Sequence, residues 1–513
     1  MKAPVPPCPR LITRRRFLVG GLTAGAMLVA ACSQQAPASP TAAPTQPAAA
    51  ATTAPAAPTA APAATTTTAA ATAAPTAAAQ PTAQPTAQAA PQAANSAPVV
   101  PLFRSDANEI PFLNKDLALF KQQQPNIVVN PVFVPGKQYN QKTDLMVAAG
   151  DPPSLWFPAS DRGFKYYSAK GLVMDLDSYV KQDSFDLTLY YDRGVAGSQW
   201  KGTQQALPID EWAWVMYYNK TLFDKAKVAY PPTDWTDASW NWDKFLETAK
   251  ALTITQGGRT VQFGTNIPDG RSFFTGWSHG GWWFNKDWDQ SGWLTKFTAP
   301  DDPAVAESLQ FWADASNKLH IAPTAAEEQA AASGAPNLFM SGKVAMYLAD
   351  IGSLSEFAKI TDFEWGMAAR PHPVKLPSHI GVWVDEYAMF KQVRNPDGSW
   401  LLMKHMVSAA AEQIYPISYG PIGSLKSLGS YWVDTWKKTA PKQADQLNVA
   451  VSAVPLEFVT PDNFTVNFSP INDEAIQPEI DKIFLGNSTA VDAIKAMQPK
   501  VEQMIASTTK GAG

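Results

Sequence analysis

Cysteine is almost absent from this chain: two occur in 513 residues, Cys8 and Cys32. Both lie near the N-terminus, so the long remainder can form no disulfide and offers no thiol nucleophile. Clusters of positive charge are equally scarce. Residues 1–31 hold Lys2, Arg10, Arg14, Arg15 and Arg16 and no acid, so without them 41 basic residues fall to 36 against an unchanged 45 acids. The formal charge moves from −4 to −9. No cationic run remains to neutralise phosphates, which argues against nucleic acid as a partner. Five scattered histidines (His279, His320, His372, His379, His405) lack metal-ligand spacing, and no metal or cofactor is expected. No nucleophile elbow or zinc-protease motif occurs. No repeat of solenoid length is present.

What the N-terminus does contain is ordered. A basic flank precedes an apolar run from Phe17 to Ala31, shorter than the ~20 residues that span a bilayer. Positive flank, short apolar centre and small terminal residues describe a signal peptide over 1–31. Thr13-Arg14-Arg15-Arg16-Phe17-Leu18 resembles the twin-arginine export signal, an address read by a receptor. Val29-Ala30-Ala31-Cys32 resembles a bacterial lipobox, with Cys32 acylated and becoming the mature N-terminus. Several acyl chains on one residue anchor durably where one chain binds marginally.

From Ser33 to Pro98 the composition collapses to small and polar residues rich in Ala, Pro, Thr and Gln, without a single charge. Such a segment buries too little surface to offset its ordering entropy, so 32–98 reads as a disordered linker. Extended in polyproline fashion at roughly 3.1 Å per residue, it reaches about 200 Å. Beyond it, β-rich runs alternate with helical ones, an α/β pattern long enough for two lobes. Strands are expected at Val99–Arg104 and Ile127–Val134. Helices are expected at Asn114–Gln124, Tyr139–Ala149, Trp242–Leu252 (capped by Asn241), Ser399–Tyr415 and Ala490–Ile505.

Several blocks, in order, resemble the family 1 extracellular solute-binding proteins, the maltose-binding-like group. They are Tyr139 to Ser154 with Gly171-Leu172-Val173-Met174-Asp175-Leu176-Asp177, and Ala206-Leu207-Pro208-Ile209-Asp210 with Val215-Met216-Tyr217-Tyr218-Asn219-Lys220-Thr221-Leu222-Phe223. Trp240 to Thr253, Leu338 to Met346, Trp365 to Pro371 and Ser408 to Ser424 follow. Pro153-Ser154 stands where the family has Pro-Asp. The resemblance implies a two-lobed, type II periplasmic-binding-protein-like fold. Three crossovers fall near Asp210, Arg370 and His405. Lobe one is then 99–209 plus 371–405, and lobe two is 210–370 plus 406–507. It further implies a monomer that captures a small-molecule solute by hinge closure and hands it to ABC permease subunits in the membrane.

A sugar offers hydroxyls for hydrogen bonds and flat C–H faces for aromatic rings, so its cleft mixes Trp and Tyr with charged residues. Eighteen Trp are present, five of them (Trp277, Trp282, Trp283, Trp288, Trp293) within 277–293. Trp282 and Trp283 are candidate stacking residues, with core packing as the alternative. Asp210, Glu211 and Trp212 stand where the family's chain enters the second lobe. Trp383 and Asp385, with Glu386, lie in the returning strand, and Asp350 with Ser353 follows another. Arg104 and Trp156 end strands whose tips point to the crevice. Tyr419 lies in a Tyr-Gly-Pro turn. Tyr217-Tyr218, an adjacent pair of the kind found in ferric-ion binders, sits in an apolar strand and reads as core. Carbohydrate is therefore the expected ligand. The alternatives are a polyol, a glycerol-phosphate ester or a peptide, and a secreted glycosidase, which needs two carboxylates ~5–9.5 Å apart.

Overall fold

A computed structural model describes residues 97–509 apart from 106, 159–162, 269–275, 278, 287–290, 333–334, 374–380, 457 and 460–464. The signal-peptide assignment with Arg14, Arg15 and Cys32, nearly all of the linker, and Trp288 and His379 lie outside the described residues.

Thirteen strands are described: β1 Pro101–Arg104, β2 Val132–Val134, β3 Leu155–Trp156, β4 Gln199–Trp200, β5 Thr203–Gln204, β6 Ala206–Asn219, β7 Ile254–Gln256, β8 Arg259–Thr265, β9 Val344–Asp350, β10 Trp365–Ala368, β11 Gly381–Ala388, β12 Ile422–Gly423 and β13 Phe458–Val459. The main sheet runs β2-β1-β3-β11-β6-β9-β8-β7, with β10 and β12 also on β6 and β13 on β11. β1 pairs in parallel with both β2 and β3. The crossovers between them are α1 (Ile110–Gln123) and α2 (Gly136–Ala148).

β6 organises the sheet. Its fourteen residues are buried almost throughout and rich in aromatic and branched side chains, as a strand covered on both faces must be. At ~3.3 Å per residue it spans roughly 45 Å. Residues 206–213 pair with β11. The other half pairs with β9 and β10, Trp214 lying opposite Asp350 and Asn219 opposite Trp365. One strand thus carries the chain from one half of the sheet to the other. Tyr217 and Tyr218 are both fully enclosed within it.

The helices follow local rules. α1 opens with Pro111 in its first turn and stops before Pro125. α2 closes on Gly150 at φ +71°, with the Gly150 and Asp151 N–H groups donating to the Val147 and Met146 carbonyls, a Schellman ending. In α3 (Trp242–Ala251) Trp242, Phe245, Thr248 and Ala249 share the buried face, and the Asn241 side chain accepts the Lys244 N–H at 3.1 Å. The expected single helix over 399–415 is two, α4 (Pro396–Met406) and α5 (Ala409–Ile414), because Ser408 caps the second. The expected strand over 127–134 shortens to β2 plus an isolated bridge at Val129, since Pro131 interrupts the ladder. His405 lies inside α4, its ring against Phe120 of α1 at 5.4 Å.

Candidate ligand-binding site

The central acids are placed by β6 and β11. Asp210 lies directly opposite Asp385, Glu211 opposite Val384, and Trp212 opposite Trp383. On its other edge β6 meets β12, which sets Glu211 beside Ile422 and Asp210 beside Gly423. The register shifts between Asp385 and Glu386, because Ile209 of β6 has no partner on β11. The Trp212 indole N–H donates to Asp385 Oδ2 at 3.0 Å.

Charge is concentrated and desolvated here. Burial pushes the Asp210 carboxyl well above its ordinary range, and the negative charges of Asp385, Glu211 and Glu412 add to this. Held as a carboxylate, Asp210 Oδ1 has no hydrogen-bond partner among the described residues. Its burial favours the neutral acid. Burial also raises Asp385, while Arg104, Trp212 and the hydrogen bond with Asp210 oppose the rise. Glu211, Glu386 and Glu412 are raised by burial as well, although Ser424 Oγ reaches Glu211 at 3.4 Å and the Leu425 N–H reaches Glu412 at 3.2 Å.

A cavity of about 140 Å³ is lined by Arg104, Glu109, Gly136 and Tyr419. Arg104 ends β1, its guanidinium 5.6 Å over the Phe157 ring. Burial lowers its pKa, but Asp385, Glu109, Tyr415 and Tyr139 together more than offset that and raise it. The Tyr419 ring meets Trp212 edge-on at 6.4 Å and Tyr415 at 5.9 Å. Asp350 closes the side of Trp212: its Oδ1 accepts the Gly352 N–H at 2.8 Å. A Cβ at Gly352 would stand 2.7 Å from the Trp212 ring, so only glycine fits there.

The remaining candidates lie elsewhere. Trp156 is enclosed in the core, edge-on to Tyr167 at 4.9 Å and against Phe390 at 5.0 Å. Trp283 is fully buried in a second apolar cluster with Trp277, Phe284 and Phe297. Trp282 is half-buried beside that cluster, with Lys286 Nζ 4.5 Å over its ring and its backbone N–H donating to Asp302 Oδ2. Thus Arg104, Tyr419, Trp212, Trp383, Asp385, Asp210, Glu211 and Asp350 share one neighbourhood. Trp156, Trp282 and Trp283 belong to packed regions.

The profile of the bacterial extracellular solute-binding proteins matches residues 106–413. The chain belongs to this family. A binding protein of Brucella abortus (strain 2308) is 27% identical over 303 residues, covering 57% of this chain and 67% of that one. Solved structures extend the likeness over the described fold. An ABC substrate-binding protein from Listeria monocytogenes in complex with cycloalternan shares 22% identity and a TM-score of 0.62, covering 79% of this chain and 98% of that one. The cyclic alpha-maltosyl-1,6-maltose binding protein from Arthrobacter globiformis shares 18% and 0.65, over 80% and 99%. A maltose-bound MalE3 of T. maritima shares 19% and 0.60, over 79% and 99%. The fold of this solute-binding protein is accordingly the two-lobed α/β fold of periplasmic binding proteins.

Two residues at the site escape a sequence reading. Glu109 precedes an apolar helix and looks like a first-turn acid, yet it is buried and lines the cavity. Gly136 looks like a helix opener, yet its place beside the Arg104 stem, with a Cβ position 3.6 Å away, makes it part of the wall. The one available signal was position: both follow strands whose tips end at the crevice. Among the described residues no helix is long and apolar enough to cross a membrane.

Proposed function

We propose that this solute-binding protein captures a sugar or oligosaccharide between its lobes and delivers it to an ABC permease. The observation that carries this is the lining of the cavity. Donor, acceptor and aromatic groups converge there: Arg104, Glu109 and Tyr419, with Trp212 and Asp385 beside them. Sugars want that mixture, because every hydroxyl both donates and accepts. Solved relatives whose names state cycloalternan or maltose support the same reading.

The lobes are taken as 99–209 plus 371–405 and 210–370 plus 406–507. Closure about their junction engages the ligand, which shifts the equilibrium only through contacts better made when closed. Export through Arg14 and Arg15, and anchoring through acylated Cys32 on the 32–98 tether, place the domain outside the membrane near its permease. A glycosidase needs two carboxyl groups ~5–9.5 Å apart around the scissile bond, and among the described residues Glu109 is the one acid that lines the cavity, which favours binding over hydrolysis.

A thermal-shift screen of mono- and oligosaccharides, polyols, glycerol-phosphate esters and peptides tests the proposal. A ligand at about 100 times its dissociation constant adds ~2.7 kcal/mol to stability. A rise in melting temperature with a peptide or phosphate ester and with no sugar overturns it.

A further inference from the structure

We propose that Glu412 is a positioning residue for the cavity: its neutral acid pins the 415–425 segment that carries Tyr419, and ionising it loosens that segment and weakens ligand binding. This rests on the cavity being the binding site proposed above, and adds a control that acts from outside the lining.

The segment leaves α5 at Tyr415 and joins the main sheet at β12, so Tyr419 stands on a turn between two anchored ends. A further helix, α6 (Gly429–Thr439), grips that turn. Trp432 and Trp436 lie four apart on its buried face, and their indole N–H groups donate to the Gly420 and Ile417 carbonyls at 2.9 and 3.3 Å. Those bonds hold the backbone on either side of Tyr419. Glu412 holds the ends. Its backbone carbonyl accepts the Ile417 N–H at 3.0 Å, and its Oε2 accepts the Leu425 N–H at 3.2 Å. A Cβ at Gly423 would collide with the same carboxyl oxygen, so the acid presses directly on β12.

Glu412 is fully enclosed, and its Oε1 has no hydrogen-bond partner among the described residues. Glu211, which pairs with Ile422 of β12, brings a second carboxyl to the same strand. Burial pushes the Glu412 acid well above its ordinary range, and the charge of Glu211 adds to this, with the Leu425 N–H opposing. Asp210 of β6, Tyr190 and Tyr191 all feel the Glu412 charge in turn, and none of them is a cation. Lys426 is held at the surface by Asp192 at 2.7 Å. Asp116 and His405 come from α1 and α4, which also pack on α5, and neither is among the influences on Glu412. A raised acid is neutral at low pH and loses its proton as pH rises. Its carboxylate would then face Glu211 in a desolvated place with no cation to offset either charge. Hydrating it requires β12 and the turn to draw away from α5, and Tyr419 moves with them. The neutral form is thus the binding form, and affinity falls as pH rises.

The test has an arm that needs no ligand. Both cysteines of the chain, Cys8 and Cys32, lie before the fold. With Cys8→Ser and Cys32→Ser in the full chain, Ser418→Cys gives a single thiol on the exposed residue beside Tyr419. A nitroxide attached there reports the turn by electron paramagnetic resonance. Its motion should increase from about pH 6 to about pH 9, and Glu412→Gln should abolish that response. Calorimetry with maltose on the unlabelled full chain should show affinity falling about fivefold over the same range, with a flat profile in Glu412→Gln. Glu412→Ala should weaken maltose about fivefold at low pH, but less than about twofold when Tyr419→Ala is already present, because an effect that runs through Tyr419 disappears with it. Melting temperatures show which variants fold, and Glu412→Gln carries the test if Glu412→Ala does not. A label whose motion ignores pH, or responds equally in Glu412→Gln, overturns the inference. So does an equal cost of Glu412→Ala with and without Tyr419. A label that responds as expected in a protein that binds no maltose counts against the carbohydrate reading and supports the role of Glu412.

Discussion

Asp116 gives a test of burial that no ligand complicates. It sits on α1, fully enclosed, and neither of its carboxyl oxygens has a hydrogen-bond partner among the described residues. Burial raises its acid group from 3.8 to about 9. At neutral pH the folded protein therefore holds Asp116 as a neutral acid, while the unfolded chain ionises it. Folding takes up a proton, so this group's share of stability is intact below about pH 4 and is lost progressively as pH rises toward 9. The slope is about 1.4 kcal/mol per pH unit. From about pH 5 to about pH 8 that amounts to roughly 4 kcal/mol at most, and relaxation around the site reduces it. Asp116→Asn removes the titration and keeps the shape. The buried amide lacks partners as the neutral acid does, so at low pH the two should lie within about 1–2 kcal/mol of each other. The informative quantity is the difference between the two unfolding free energies, measured by urea denaturation at several pH values and fixed salt. It should shift in favour of the variant by roughly 2–4 kcal/mol across that window. Subtraction cancels the shared contributions of Asp210, Glu211, Glu386 and Glu412, which burial also raises. Parallel pH curves would show that Asp116 ionises normally in the folded protein and would refute the reasoning.

Other expectations concern single contacts. Trp212→Phe removes the 3.0 Å donor to Asp385 and should weaken ligand binding about tenfold, read by calorimetry, with an unchanged affinity counting against Trp212 at the site. Asn241→Ala deletes the cap of α3 and should cost ~1 kcal/mol in urea unfolding. Gly264→Ala would place a Cβ 2.0 Å from the Ala249 carbonyl oxygen and should destabilise by at least ~1–3 kcal/mol, or prevent soluble expression. For the anchor, mass spectrometry of the mature N-terminal peptide should find it beginning at an acylated Cys32, and a Cys32→Ala chain should take up no labelled fatty acid.

Local chemistry made much of the fold legible in the sequence. α2 could be ended at its glycine and α3 started at its asparagine because both signals act within a few residues. The errors come from competition at the same range. Ser408 offers its own side chain to the Ala411 N–H and so splits one apparent helix into α4 and α5. Pro131 has no N–H for the ladder and divides an apolar run that otherwise reads as one strand. No local signal reports that β6 serves two halves of the sheet; only its length and unbroken apolar character hint at cover on both faces.

The cavity's lining was legible where a strand tip or a turn named the residue, as with Arg104 and Tyr419. It was not legible where packing decided between two uses of one residue type. Trp156, Trp212 and Trp283 are the same side chain, yet Trp212 alone of the three has its N–H on a carboxylate at the cleft, while the other two fill cores. The acids show the same limit more sharply. Alternation along a strand predicts that Asp385 and Glu386 point apart, but it says nothing of which residue lies across the sheet from either. What matters most is the partner opposite, and that is Asp210, 175 residues earlier in the numbering. Pairing at such a separation brings two carboxyl groups into one desolvated place, where burial pushes both acids above their ordinary range and the charge of Asp385 adds to the rise of Asp210. The surroundings of Asp385, with Asp210 opposite, Arg104 near and the Trp212 indole N–H on its carboxylate, therefore exist only in the folded protein.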